Sequence, residues 1–171
     1  TGEGMEWAAP FSFDAVRRIA PFADLCTGAL IAAEVGLETF EPEFGVGQFE
    51  VSCGPAVGLA GADRVILTRE VVREAARQSN MNATFTPKPA PEAVGNGCHL
   101  HISLWDKHHK PAGFDPEGPG EMSPTTAQFV AGVKKHMQAL TALTAPSPIS
   151  YLRLGPHHWA CGYDAVGVQN R

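Results

Sequence analysis

Apolar and polar positions along this chain repeat with two different periods. Residues 62–80 (ADRVILTREVVREAARQSN) set Val65, Leu67, Val71, Val72, Ala75 and Ala76 where a 3.6-residue turn gathers them into one stripe, with arginines and glutamates elsewhere. This is the strongest predicted helix. Phe22 to Leu37 (FADLCTGALIAAEVGL) is apolar almost throughout and reads as a mostly buried helix that ends at a glycine-containing turn. Thr125 to Leu143 predicts a third helix, with Phe129, Val133, Met137 and Leu140 on one face and Thr125 or Thr126 as its cap. Glu41–Val51 (EPEFGVGQFEV) carries two glycines among alternating residues and predicts strands around a bend. Ala83–Thr86 reads as a short strand stopped by Pro87 and Pro89, and Cys98–Trp105 as another strand. Pro111–Pro124 is the clearest loop, and the tail from Ser150 to Arg171 reads as extended or irregular. Helices and strands are mixed with neither a βαβα rhythm nor a GxGxxG turn, so the expected class is α+β rather than doubly wound.

Composition narrows the field further. The 171 residues suffice for one domain with a core. A net charge of −5 lacks the basic stripe of a nucleic-acid binder, and no apolar run approaches the roughly 18–20 residues of a membrane span. No signal peptide is visible. Cys26, Cys53, Cys98 and Cys161 are far apart, form no CxxC pair, and fit neither a zinc knot nor a disulfide framework. The expectation is a cytoplasmic protein with reduced thiols.

Three constellations carry candidate chemistry. On a strand, His99, His101, Ser103 and Trp105 share one face while Leu100, Ile102 and Leu104 share the other. The polar set is either a solvated sheet face or a ligand-facing one. Gly95 and Gly97 just upstream let the backbone approach a ligand closely, and Lys88, held between Pro87 and Pro89, can reach an anion. The second constellation is Glu43 and Glu50. A separation of seven puts them on opposite faces of a straight strand, but Gly45 and Gly47 allow a turn or bulge that brings both to one side. Two carboxylates and an imidazole suit Mg²⁺ or Mn²⁺, and two surface glutamates on a hairpin are the plainer alternative. Third, Arg153 and Arg171 lie in tail runs otherwise poor in charge, which suits either an internal ion pair or a bound carboxylate or phosphate.

Taken together, these pieces resemble the catalytic domain of the glutamine synthetase family. EFGVGQFEV looks like the segment in which two metal-binding glutamates flank a Gly-Gln pair. ADRVILTREVVREAARQSNMNATFTPKP looks like the family's helix and the strand and loop after it. KPAPEAVGNGCHLHISLW is similar to its ATP-region signature, and SYLRLGP and VQNR resemble its arginine segments. The resemblance implies an ATP-dependent carbon–nitrogen ligase that phosphorylates the side-chain carboxylate of glutamate and then joins it to ammonia or an amine. By residue, it implies that Glu43 and Glu50 bind one metal and His99 a second, with two or three Mg²⁺ or Mn²⁺ ions in the complete site. His101, Ser103 and Lys88 fall on the nucleotide side. Gly95 offers backbone to the amino-acid substrate, Arg153 holds its carboxylate, and Arg171 contacts the transferred phosphate. It also implies a homo-oligomeric ring, with residues 1–171 a partial catalytic domain lacking the small N-terminal β-domain and the C-terminal part, and inactive alone.

Two positions depart from the family pattern. Val94 stands where an asparagine usually helps to bind glutamate. An ungapped match of RLGPHHWAC sets Trp159 where glutamine synthetases have a glutamate that binds ammonium and accepts its proton. An indole takes no proton at neutral pH but stacks on organic cations, so the expected acceptor is an amine larger than ammonia. Two competing readings are a structural or regulatory member without activity, and a metal-dependent hydrolase, for which no HExxH or zinc-type cysteine cluster speaks.

Overall fold

The computed structural model describes residues 9–156, 158–160 and 165–168. Two compact units divide the chain, Thr1–Asn96 and Gly97–Arg171.

The first unit holds the core. Helix α1 (Phe13–Arg18) is opened by Ser12, whose hydroxyl accepts from the Ala15 N–H at 3.3 Å. Helix α2 (Ala20–Ala32) begins with Pro21 in its first turn, where a missing N–H costs no helical bond. It buries Phe22, Ala23, Cys26 and Leu30 along one side. Helix α3 (Leu59–Gln78) meets that side with Val72, Ala75 and Ala76. Both helices end alike. Glu34 (φ 55°) and Asn80 (φ 56°) turn left-handed, and their N–H groups reach the Ile31 and Arg77 carbonyls at 3.0 and 3.2 Å. The next N–H groups, of Val35 and Met81, reach the Leu30 and Ala76 carbonyls at 3.4 and 2.8 Å. This double closure satisfies the last carbonyls and sends Val35 and Met81 back against the core.

Strands β1 (Leu37–Pro42) and β2 (Phe49–Cys53) form an antiparallel hairpin, with Phe40 opposite Val51, Glu41 opposite Glu50 and Pro42 opposite Phe49. Alternation sends Phe40, Phe49 and Val51 to the helices. Phe40 stacks on Phe49 at 5.5 Å between centroids and takes the edge of Phe22 at 6.1 Å. At the open end, Arg64 of α3 donates to the Gly54 and Pro55 carbonyls, each at 2.9 Å.

The α+β class and the bent hairpin stand as the sequence predicted, and several boundaries move. The helix expected over 22–37 stops at Ala32 because Glu34 turns left-handed, and Leu37 opens a strand. On α3 the stripe is buried only toward its C-terminal half, and Val65 and Leu67 are exposed. At 1.5 Å per residue α2 is roughly 20 Å long and α3 about 30 Å, so α2 cannot cover all of α3. The charged positions form a solvated face with Glu70–Arg73 and Glu74–Arg77 pairs. Hydrogen bonds from Arg77 first, then Gln78, pull the Glu74 carboxyl down to about 2.

Ala83–Thr86 and Cys98–Trp105 do not form strands, because no described segment forms a ladder with either. Alternation predicts which faces the side chains take but cannot supply the neighbour that makes a ladder. In the second unit, Trp105 bridges Pro111 alone. The third expected helix is two, α4 (Pro124–Lys135) and α5 (Met137–Thr144), separated at His136. Its cap is Ser123 rather than a threonine, accepting from the Thr126 N–H at 3.2 Å. Pro124 takes the first helical position and moves the cap back by one. Beyond a 3₁₀ turn at Pro148–Leu152, the described tail is irregular. No helix among the described residues is long and apolar enough to cross a membrane.

Leu30 is fully buried between the elements of the first unit. Replacing it with alanine is expected to cost about 2–5 kcal/mol, read as a lower thermal midpoint, and a loss below about 1 kcal/mol would contradict this packing. Cys26, Cys53 and Cys98 are free thiols, whereas Cys161 lies outside the described residues. Burial pushes the Cys26 thiol up to about 11 while Cys98 is exposed. A thiol reagent at pH 8 should therefore label Cys98 in the folded protein and Cys26 only on unfolding, as peptide mass mapping would show.

Candidate functional site

With Phe40, Phe49 and Val51 committed to the core, the same alternation leaves Glu41 and Glu50 on the hairpin's outer face, directly opposite each other. Glu43 opens the turn. Its N–H donates to the Gln48 carbonyl at 2.9 Å, the Gln48 N–H returns to the Gly45 carbonyl at 3.0 Å, and Gly47 (φ 67°) takes the left-handed step. The turn therefore brings Glu43 within hydrogen-bonding reach of Glu50, as the two glycines allowed. Burial first, then the Glu50 carboxyl and the charges of Glu50 and Glu41, hold the Glu43 carboxyl above its ordinary range, although the Phe44 N–H pulls the other way.

Gly95 and Lys88 also belong to the first unit, both half-buried. The Pro87 carbonyl beside Lys88 accepts from the Asn96 N–H at 2.8 Å. Gln48 donates from Nε2 to the Gly95 carbonyl at 3.0 Å, which ties this loop to the carboxylate hairpin.

His99, His101, Ser103, Arg153 and Trp159 belong to the second unit. Both histidines and Ser103 are exposed, on a segment without regular secondary structure. The Trp105 indole donates to Ser103 Oγ at 2.9 Å, so these two share a side as alternation predicted. Arg153 is half-buried and has no carboxylate partner among the described residues. Its Nη1 stands 3.6 Å from where a Cβ on Gly97 would lie, so the guanidinium lies beside that glycine. Trp159 is 87% exposed. Arg171 lies outside the described residues.

Residues 4–171 match the family model described as the glutamine synthetase catalytic domain. The chain belongs to the glutamine synthetase family. It is 43% identical over 150 residues to the gamma-glutamylpolyamine synthetase GlnA3 of Streptomyces coelicolor, a match covering 87% of this chain and 32% of that protein. It is 35% identical to the type-1 glutamine synthetase 1 of Dictyostelium discoideum, covering 85% of this chain and 29% of that one. A crystal structure of a novel glutamine synthase homolog superimposes with a TM-score of 0.84 at 46% identity, covering 93% of this chain and 37% of that chain. The chain thus spans about a third of the relatives it matches.

Family members of this kind raise the question of a divalent cation, and the hairpin's donors fit one. Two carboxylates are forced together on a face where their charges repel. Mg²⁺ is commonly held by one or two carboxylates, with water and substrate phosphate completing its shell. No group of three or more histidine, cysteine, aspartate or glutamate side chains gathers into a metal site among the described residues. The hairpin supplies a pair, not a closed cage. Sequence reasoning missed Glu41 and Asn96. Glu41 was readable as a same-face neighbour of Glu43, two positions away, but the role of Asn96 depends on a contact 48 residues distant.

The raised Glu43 pKa has a definite sign for stability. Folding favours the protonated carboxyl, so its contribution is favourable at low pH and turns unfavourable as pH rises through the folded-state value. Glu43→Gln is expected to raise the thermal midpoint of metal-free protein at pH 8, with the gain shrinking toward pH 4. A lower midpoint at pH 8 would contradict the crowding of these carboxylates.

Proposed function

We propose that the protein is an ATP-dependent ligase that forms a γ-glutamyl amide from glutamate and an organic amine through γ-glutamyl phosphate. The Glu43–Glu50 pair, within a chain of this family, is the observation that carries the reading. A carboxylate is a poor electrophile and must be activated, and bringing it to a phosphate sets two anions together. One pair of unit charges at 4 Å and an effective dielectric of 20 repels by roughly 4 kcal/mol. A divalent cation would supply compensating charge at the phosphates; Glu43 and Glu50 would hold one ion and His99 would bind a second. Arg153, with no carboxylate of its own among the described residues, would take the carboxylate of glutamate. Hydrogen bonds to such charged groups are worth roughly 1.5–3 kcal/mol each. The Gly95 backbone would contact the same substrate. His101, Ser103 and Lys88 would line the nucleotide side, and Arg171 would touch the transferred phosphate. We read residues 1–171 as part of the catalytic domain of a cytoplasmic, ring-forming protein.

The amine preference rests on Trp159. An exposed indole where the family's glutamate handles ammonium can stack on an organic cation, and the polyamine-named relative is the more similar of the two compared. In the full-length protein, with glutamate and Mg²⁺-ATP fixed, ADP release should favour an organic amine over ammonia by at least about tenfold in kcat/KM. A stacking contribution of roughly 0.5–2 kcal/mol predicts that Trp159→Ala lowers kcat/KM for that amine about 2- to 30-fold. Equal use of ammonia would remove the amine preference, and no ADP release with any acceptor would remove the ligase reading.

A further inference from the structure

Gln48 sits between the two carboxylates in sequence, and its side chain leaves no polar atom idle. Its Oε1 accepts from the Gly45 N–H at 2.9 Å, and its Nε2 donates to the Gly95 carbonyl at 3.0 Å and to Asn96 Oδ1 at 2.7 Å. Asn96 passes the connection on. Its Nδ2 donates to the Thr86 carbonyl at 2.8 Å and its N–H to the Pro87 carbonyl at 2.8 Å. Position 45 is shaped for this arrangement, because a Cβ there would lie 2.9 Å from Gln48 Oε1 and 3.1 Å from Gln48 Cβ. All of these groups lie within the first unit. The hydrogen bonds run without a break from the turn that carries Glu43 and Glu50 to the loop that carries Lys88 and Gly95. An amide with both hydrogens and its oxygen engaged has one arrangement that satisfies it, so a shift on either side breaks bonds on the other.

We propose that Gln48 is a positioning residue that couples the two sides: a divalent cation on the Glu43–Glu50 hairpin and an amino acid at the Gly95 backbone each strengthen the other's binding. The amino-acid half rests on the reading given under Proposed function. The donation from Nε2 fixes one lone pair of the Gly95 carbonyl and aims the other. A cation held by the two carboxylates would offset their repulsion and hold the turn, and through Gln48 it would hold that carbonyl in place.

The test uses the full-length protein with Mn²⁺ as the probe. Hydrogen exchange of residues 94–97, followed by mass spectrometry, should slow on adding Mn²⁺ to wild type and show no Mn²⁺ response in Gln48→Ala. By calorimetry with an ATP analogue present, Mn²⁺ should tighten glutamate binding at least fivefold in wild type and less than twofold in Gln48→Ala or Asn96→Ala. The double variant should lose no more than either single one. Asn96→Asp keeps an acceptor for Gln48 Nε2 but cannot donate to the Thr86 carbonyl, and should lose part of the response. Gln48→Met, of similar length and without hydrogen bonds, should behave as alanine does and guards against a packing defect. A full Mn²⁺ response in Gln48→Ala, by exchange or by calorimetry, overturns the proposal. If glutamate fails to bind wild type, the ligase reading falls, and the exchange measurement alone decides whether the hairpin and loop are coupled.

Discussion

Everything on the outer face of the hairpin follows from what its inner face must bury. Phe40, Phe49 and Val51 pack on the helices, and a strand that commits one set of side chains to a core has no choice about the other. Glu41 and Glu50 are therefore fixed opposite each other, at a spacing their charges resist. A one-residue slip would relieve that repulsion and expose three large apolar side chains. At roughly 1.5–3 kcal/mol for each such side chain fully buried, the apolar packing outweighs the repulsion of partly solvated carboxylates.

This makes the carboxylate pair a preorganised feature rather than one assembled by a ligand. Helices α2 and α3 set the platform, their left-handed ends return Val35 and Met81 to it, and Arg64 closes the open end of the hairpin. At the other end the glycine turn folds Glu43 toward Glu50. A site under repulsion when empty gains more from a divalent cation than a relaxed one does, because binding also removes the repulsion.

The second unit is built differently. Of its described residues only Ala145 and Ser150 are buried, and α4 and α5 bury none. Its candidate groups are accordingly exposed or half-buried: the histidines on a segment without regular secondary structure, Arg153 facing Gly97, and the Trp159 ring. Hydrogen bonds and caps such as Ser123 give it its local order. With little apolar burial, residues of this kind depend on local backbone geometry for their placement.

Sequence alone determined the α+β class, the three main helical regions and the hairpin, and allowed Glu43 to approach Glu50, because periodicity and glycine positions are local and chain geometry converts them directly into faces and turns. It determined family membership too, since four ordered motifs survive without any knowledge of contacts. Tertiary structure decided the rest. Cys98–Trp105 met no ladder that would make it a strand, and α3 stayed exposed where the shorter α2 could not reach. The bond from Gln48 to Asn96 spans 48 residues and has no periodic trace. Such features depend on which distant segments meet, and that is settled only when the core is packed.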